Sequence, residues 1–155
     1  MKKITPYINR FLKTIAPDKR LKAILYILRA ASYKEARRPE YPRLKQTVWG
    51  REILSPLGLA AGFDRDALAI GGHFHMGFGF AELGSVTPAP VPRKSDARIA
   101  VSEGAKAVLS DDYASSAGLE IFGRRLASFR LAYEHYWGLI GVNISSHDQS
   151  LKENL

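Results

Sequence analysis

The chain has 155 residues, 46% of them hydrophobic, no cysteine and a formal net charge of +8. That length suits one domain with a real core. The lack of cysteine excludes disulfides and thiolate metal sites and fits a reducing compartment, and no apolar run approaches the roughly 20 residues of a membrane-spanning helix.

The positive charge is unevenly placed. Residues 1–51 hold 14 Lys and Arg against Asp18, Glu35 and Glu40, while the remainder holds nine basic residues against twelve acidic ones. Such asymmetry points to an anionic partner for the N-terminal third, a membrane surface or a nucleic acid. Aromatics are not interleaved with the basic residues as a base-stacking array requires, so no nucleic-acid partner is expected.

Thr5 to Ile15 and Asp18 to Ser32 read as two helices. Tyr7, Ile8, Phe11, Leu12 and Ile15 fall at helical spacing in the first, and Leu21, Ile24, Leu25 and Leu28 do so in the second. Asp18 is placed to cap the second helix and Arg29 to suit its dipole. An apolar stripe among Lys and Arg describes a helix lying in a membrane interface, and equally a surface helix facing a core. Tyr33 to Pro42 is a basic, proline-bearing linker. Leu44 to Trp49 and Glu52 to Leu54, around Gly50 and Arg51, read as a small hairpin in which Trp49 is expected to cover the core.

Leu57 to Ala61 and Phe78 to Leu83 are strand-length apolar runs closed by Gly62 and Gly84. Asp66 to Met76 between them carries Leu68, Ile70 and Phe74, enough for a short helix, although Gly71 and Gly72 weaken it by about 1 kcal/mol each. Two strands joined by a helix make a parallel βαβ unit. The loops after these strands are the candidate site. Ala60, Ala61 and Gly62 have almost no side chain, so a flat ring could lie against their backbone, and Gly84, Ser85 and Thr87 bring a flexible backbone and hydroxyls to the face where parallel α/β folds bind ligands. The same glycines would serve if they only turned the chain. His73 and His75 point to different faces of a helix and do not suit one metal, so both read as structural or solvent-facing. Asp64 and Asp66 around Arg65 read as local charge balance.

Ala89 to Arg98 is a polar, proline-rich loop, followed by a short strand from Ile99 to Val101 and a loop through Asp111 and Asp112. Gly118 to Tyr136 reads as a long helix and Gly138 to Ile144 as a further strand that contains Asn143.

SPLGLAAGFDR and MGFGFAELGSVTPAP closely resemble the membrane-associated, quinone-linked class of dihydroorotate dehydrogenases, and TPYINRFLKTIAPDK is similar to the helical opening of that class. The resemblance implies an FMN-containing (β/α)8 barrel that oxidises dihydroorotate to orotate in pyrimidine synthesis and passes the electrons to quinone. A whole barrel takes at least about 200 residues. The implied fold is therefore α/β, with an amphipathic basic helical pair over residues 1–40 that docks on membranes and frames a quinone tunnel. An incomplete (β/α)8 barrel of about three βα steps follows, a partial FMN domain over residues 41–155.

The implied flavin contacts are Ala60, Ala61, Gly62, Gly84, Ser85 and Asn143. Other positions depart from the family. Arg65 stands where the family has lysine, SDDYASS from Ser110 to Ser116 replaces an asparagine-led substrate loop, and Ser145 and Ser146 replace a glycine and a lysine. YWGLIGVNI resembles the family's third strand, while NISS at Asn143 to Ser146 also resembles the end of its fourth.

With the later phosphate-binding loops missing, FMN binding is expected to be weak or absent. No catalytic residue is assigned, and the chain alone is expected to be incompetent in catalysis. The implied setting is a peripheral membrane protein on the cytoplasmic side, with the membrane surface, quinone, and a complementary polypeptide or second copy as partners. The alternative is a non-catalytic membrane-surface or protein-interaction module derived from that family.

Overall fold

Helix comes before any strand in this chain. The computed structural model describes residues 5–15, 17–31, 42–93, 99–102, 104–110, 115–133 and 138–146. Helix α1 spans Thr5–Thr14 and α2 spans Pro17–Ala31. Pro17 opens α2, where a missing amide proton costs nothing; the side chain of Asp18, and with it the expected cap, lies outside the described residues, as does the linker over residues 33–41. Arg20 Nε donates to the carbonyl of Ile15 at 3.0 Å and ties the two helices at their junction. Leu25 of α2 is buried, but Tyr7 and Phe11 of α1 are 76% and 54% exposed.

Strands β1 (Gln46–Val48) and β2 (Arg51–Ile53) form the expected antiparallel hairpin. Its two turn residues, Trp49 and Gly50, both have positive φ, 49° and 72°, the conformation of a tight hairpin turn whose twist matches its strands. This overturns the expectation for Trp49: a left-handed residue at the tip throws its ring outward, and it is 89% exposed. The buried apolar residues at the end of the hairpin are instead Ile53 and Leu54.

The main sheet holds β3 (Gly58–Leu59), β4 (Phe80–Val86) and β7 (Leu139–Ile144), all parallel, in the order β3-β4-β7. Thus the strand that carries Asn143 lies beside the second parallel strand, in third position. Helix α3 (Ile70–His75) joins β3 to β4. A hairpin of β5 (Ile99–Ser102) and β6 (Ala107–Ser110) and then α4 (Leu119–Ala132) join β4 to β7. Ala81 and Leu83 of β4 alternate inward and pack with Ala67, Ile70 and Phe74 beneath α3 and with Phe122 and Phe129 of α4. Phe80 and Glu82 point to the other face. That alternation places both helices on one side of the sheet.

Several elements depart from the sequence expectation. The helix read from Asp66 begins only at Ile70, because the Asp64 carboxylate takes the amides of Leu68 and Ala69, each at 2.8 Å, and holds the intervening chain as a loop. Strand β4 does not close at Gly84 but runs through it to Val86. The expected loop after Val101 contains the second strand of a hairpin, and α4 ends at Ala132; Asp111, Asp112 and residues 134–137 lie outside the described residues.

Gly72, a weakness by helix propensity, has a packing reason. A Cβ there would stand 2.5 Å from the carbonyl oxygen and 2.7 Å from the Cβ of Leu28, so its absence lets α2 lie directly on α3.

Candidate functional site

Parallel pairing sets the C-terminal ends of β3, β4 and β7 side by side, and the six residues singled out from the sequence meet there. Ala60 to Gly62 leave β3, Gly84 and Ser85 lie near the end of β4, and Asn143 is the penultimate residue of β7. The Gly62 N–H donates to the Gly84 carbonyl at 2.7 Å, and the Gly84 N–H donates to the Asp64 carbonyl at 3.2 Å. The loop after β3 is therefore stitched to β4 by backbone alone.

The two glycines serve different ends. Gly62 has a φ of 101° and no atom within 4 Å of a built Cβ, so a side chain there would project into open space. Gly84, with a φ of 114°, has no such room, because its Cβ would run into the Asn143 carbonyl. It closes β4 onto β7 where their register shifts between Leu83 and Val86. The Asn143 side-chain amide donates to Glu82 at 3.2 Å. The rim thus offers unhindered backbone, a hydroxyl at Ser85, an amide and one carboxylate.

Behind the rim lies a pair that periodicity did not reveal. The Asp64 carboxylate and the His73 ring have 0% exposed side chains and meet at 2.9 Å. Burial pushes the Asp64 carboxyl pKa up, but hydrogen bonds from His73, Ala69 and Leu68 outweigh it and hold the group below the usual carboxylate value. An ionised carboxylate only accepts, so His73 Nε2 carries the shared proton. His73 Nδ1 is buried and has no hydrogen-bond partner among the described residues. His73, read as structural or solvent-facing, is buried, and Asp64, read as local charge balance, is buried with it. The two are nine positions apart, which matches no helical spacing; the one available sign was an acid just ahead of a helix.

Arg65 and Asp66 reach in a second direction. Arg65 Nη1 donates to Ser115 Oγ at 2.7 Å, and the Asp66 carboxylate accepts the Ala117 N–H at 2.7 Å. Arg125 Nη1 on α4 in turn donates to the Asp66 carbonyl at 2.9 Å. Ser116 Oγ accepts the amides of Thr87 at 3.3 Å and Gly118 at 3.1 Å. Residues 115–118 are thus fastened to the ends of both β3 and β4. Among the described residues no cluster of three or more His, Cys, Asp or Glu could hold a metal ion, and no helix is long and apolar enough to cross a membrane.

Residues 43–155 match the model of a protein family described as dihydroorotate dehydrogenase. The chain is 37% identical over 149 residues to the dihydroorotate dehydrogenase (quinone) of Mycobacterium tuberculosis, covering 90% of this chain and 40% of that protein. It is 47% identical over 85 residues to the enzyme of the same name from Rippkaea orientalis, covering 55% of this chain and 22% of that one. Ligand-free DHODH from Eimeria tenella superposes with a TM-score of 0.73 at 28% identity, covering 86% of this chain and 38% of that chain. The chain spans two fifths or less of the length of these relatives.

Proposed function

Because the chain belongs to the dihydroorotate dehydrogenase family, we propose that its strand ends form the ring-holding part of an FMN site. The site would serve a quinone-linked oxidation of dihydroorotate to orotate in pyrimidine biosynthesis. In this reading β3, β4 and β7 are three adjacent staves of a (β/α)8 barrel, residues 41–155 are the flavin portion and residues 1–40 a membrane-facing helical pair.

The observation that carries the reading is the Gly62–Gly84 hydrogen bond of 2.7 Å. It gathers Ala60, Ala61, Gly62, Gly84 and Ser85 at one rim, with Asn143 on the neighbouring strand. The residues fit a flat heteroaromatic ring: the space beside Gly62 is open, and Ser85 and Asn143 are half-buried polar groups suited to its edge. When bound, the flavin supplies two-electron redox chemistry. The chain's own part is to hold the ring by backbone and by Asn143, and to keep the rim rigid through Asp64 and His73. In TIM barrels the loops after strands 7 and 8 frequently hold phosphate, and each charge-assisted hydrogen bond lost there costs about 1.5–3 kcal/mol.

The 155-residue chain alone is therefore expected to bind FMN weakly and not to reduce quinone with dihydroorotate above background. Flavin fluorescence titration and gel filtration test this. Stoichiometric yellow protein after filtration, or substrate-dependent bleaching of the flavin, would overturn it, and co-purification of a polypeptide that completes the sheet would favour an assembled enzyme. A second reading, a non-catalytic module at the cytoplasmic surface of a membrane, draws on the exposed Tyr7, Phe11, Leu21 and Tyr26 of α1 and α2 among exposed Arg10, Lys13, Lys19 and Lys22.

A further inference from the structure

Strand β4 is the middle strand of the parallel sheet, with β3 on one side and β7 on the other. Its helix-facing side carries Ala81 and Leu83 in the core, and the opposite face carries Phe80 and then Glu82. These two side chains lean apart. A Cβ on Gly58 would run into the Phe80 ring, so Phe80 lies across the bare backbone of β3. Glu82 is paired with Gly141 of β7, and a Cβ on Gly141 would touch the Glu82 Cγ at 3.6 Å. Glu82 therefore passes over β7 and reaches Asn143, whose side-chain nitrogen donates to Glu82 Oε1 at 3.2 Å.

A carboxylate in the middle of a parallel sheet calls for a reason, since such strands are ordinarily apolar on both faces. Among the described residues no Lys, Arg or His forms an ion pair with Glu82, and Asn143 is its hydrogen-bond partner. What the pair achieves follows from the chemistry of the two groups. An ionised carboxylate only accepts, so the end of Asn143 that faces it is the NH2 group. The amide cannot turn over without setting oxygen against oxygen. Its Oδ1 is thereby the end left for a ligand, and among the described residues no donor meets it. Asn143 is half-buried and lies against Gly84 at the strand-end rim.

We propose that Glu82 is a positioning residue: it locks the Asn143 amide as an acceptor, so that the rim selects a ring bearing an N–H at its edge. The inference rests on the flavin reading above, because the oxidised flavin ring carries one such group, an imide N–H between two carbonyls. An amide free to turn over would accept from an N–H or donate to a carbonyl alike, whereas a fixed one discriminates.

The test is titration of the whole 155-residue chain with lumiflavin, the ring without its phosphate-bearing tail, and with 3-methyllumiflavin, in which a methyl group replaces the imide hydrogen, both followed by flavin fluorescence. Lumiflavin should bind about fivefold more tightly than its methylated form, the scale of one hydrogen bond. In Glu82→Gln the difference should fall below about twofold, because the glutamine amide can meet either end of Asn143. A methyl group that merely collided with the protein would be penalised equally in both chains. Position 82 is exposed and Gln keeps the shape of Glu, so thermal melts of the two chains should coincide. Nitrogen-15 NMR gives a reading with no ring present: one Asn143 side-chain amide proton should lie downfield in the parent chain and move back in Glu82→Gln. Undiminished discrimination in Glu82→Gln, or an Asn143 amide resonance that the substitution does not move, would overturn the proposal while leaving the flavin reading intact. Failure of the parent chain to bind either ring would overturn the flavin reading and the ring contact with it, whatever the resonance shows.

Discussion

Asp64 and His73 form a hydrogen-bonded pair at 2.9 Å from which solvent is excluded on both sides, and the backbone carbonyl of the same Asp64 receives the Gly84 amide at the strand-end rim. One residue thus faces inward with its side chain and outward with its main chain. Whatever loosens the pair loosens the rim.

Replacing Asp64 by Asn leaves a shape of the same size but removes the charge that three donors converge on. Each hydrogen bond to that charged group is worth about 1.5–3 kcal/mol, and Asn keeps part of them. The carboxyl pKa is lower in the folded chain than in the unfolded one, so its contribution is complete above the unfolded value near pH 4 and is lost as pH falls through the folded value. Urea unfolding should show a wide gap between the parent chain and Asp64→Asn at pH 7 that narrows below about pH 4. A gap independent of pH would mean that the charge is irrelevant.

Gly62→Ala and Gly84→Ala should separate strain from collision. At Gly62 the added methyl meets nothing, and the cost is that of a positive φ, about 1–2 kcal/mol. At Gly84 the methyl also strikes the Asn143 carbonyl, adding about 1–3 kcal/mol and prising β7 from β4. Thermal melts should rank the parent chain above Gly62→Ala and that above Gly84→Ala. Equal melting temperatures for the two variants would refute the close approach.

Arg65→Ala removes the 2.7 Å bond to Ser115. The expected loss is about 0.5–1.5 kcal/mol, with faster proteolytic cleavage close to Ser115 and no change near the β1–β2 hairpin. Arg65→Lys should restore only part of the protection, because an ammonium lacks the planar fork. Cleavage rates unchanged in Arg65→Ala would show that the bonds of Asp66 to Ala117 and of Ser116 to Thr87 and Val91 fasten this segment without it.

The helical pair should bring the chain to anionic liposomes at low ionic strength. Each basic group near such a surface contributes about 1 kcal/mol before screening, and salt should release much of the bound chain. Deleting residues 1–32 should abolish the association. Since α2 already packs on α3 through Leu28 and Gly72, the apolar contribution should come mainly from α1, and Phe11→Ser should weaken sedimentation more than Leu25→Ser weakens it per folded molecule. Equal recovery in the supernatant with anionic, neutral and no liposomes would leave the pair as plain scaffold.

Much of this architecture was legible because it follows from spacing. The apolar stripes of α1 and α2, the strand-helix-strand order between Leu57 and Leu83 and the hairpin at Gly50 all rest on local pattern. What escaped depends on contacts distant in sequence. Ala107–Ser110 has no alternation to mark it as a strand and is one because it pairs with Ile99–Ser102. The late start of α3 follows from where the Asp64 side chain turns, and Trp49 faces water because the turn sets its backbone before its hydrophobicity can act. At the candidate site, the smallness of Ala60 to Gly62 could be read, and with it the open space beside Gly62. That Gly84 is demanded by a neighbouring strand could not, since the Asn143 carbonyl is 59 positions away.

The strand order also carries a history of assembly. Gly58 pairs with Phe80, 22 positions on, whereas Phe80 pairs with Leu139, 59 positions on. Closing the second loop costs roughly 0.9 kcal/mol more chain entropy than closing the first, and the Asp64–His73 pair lies wholly within the first. The β3-α3-β4 step can therefore form while the rest of the chain is still being made, with β7 arriving later along a waiting edge. During that interval Gly84 already lies bare in β4, a notch shaped for a strand that has yet to be translated.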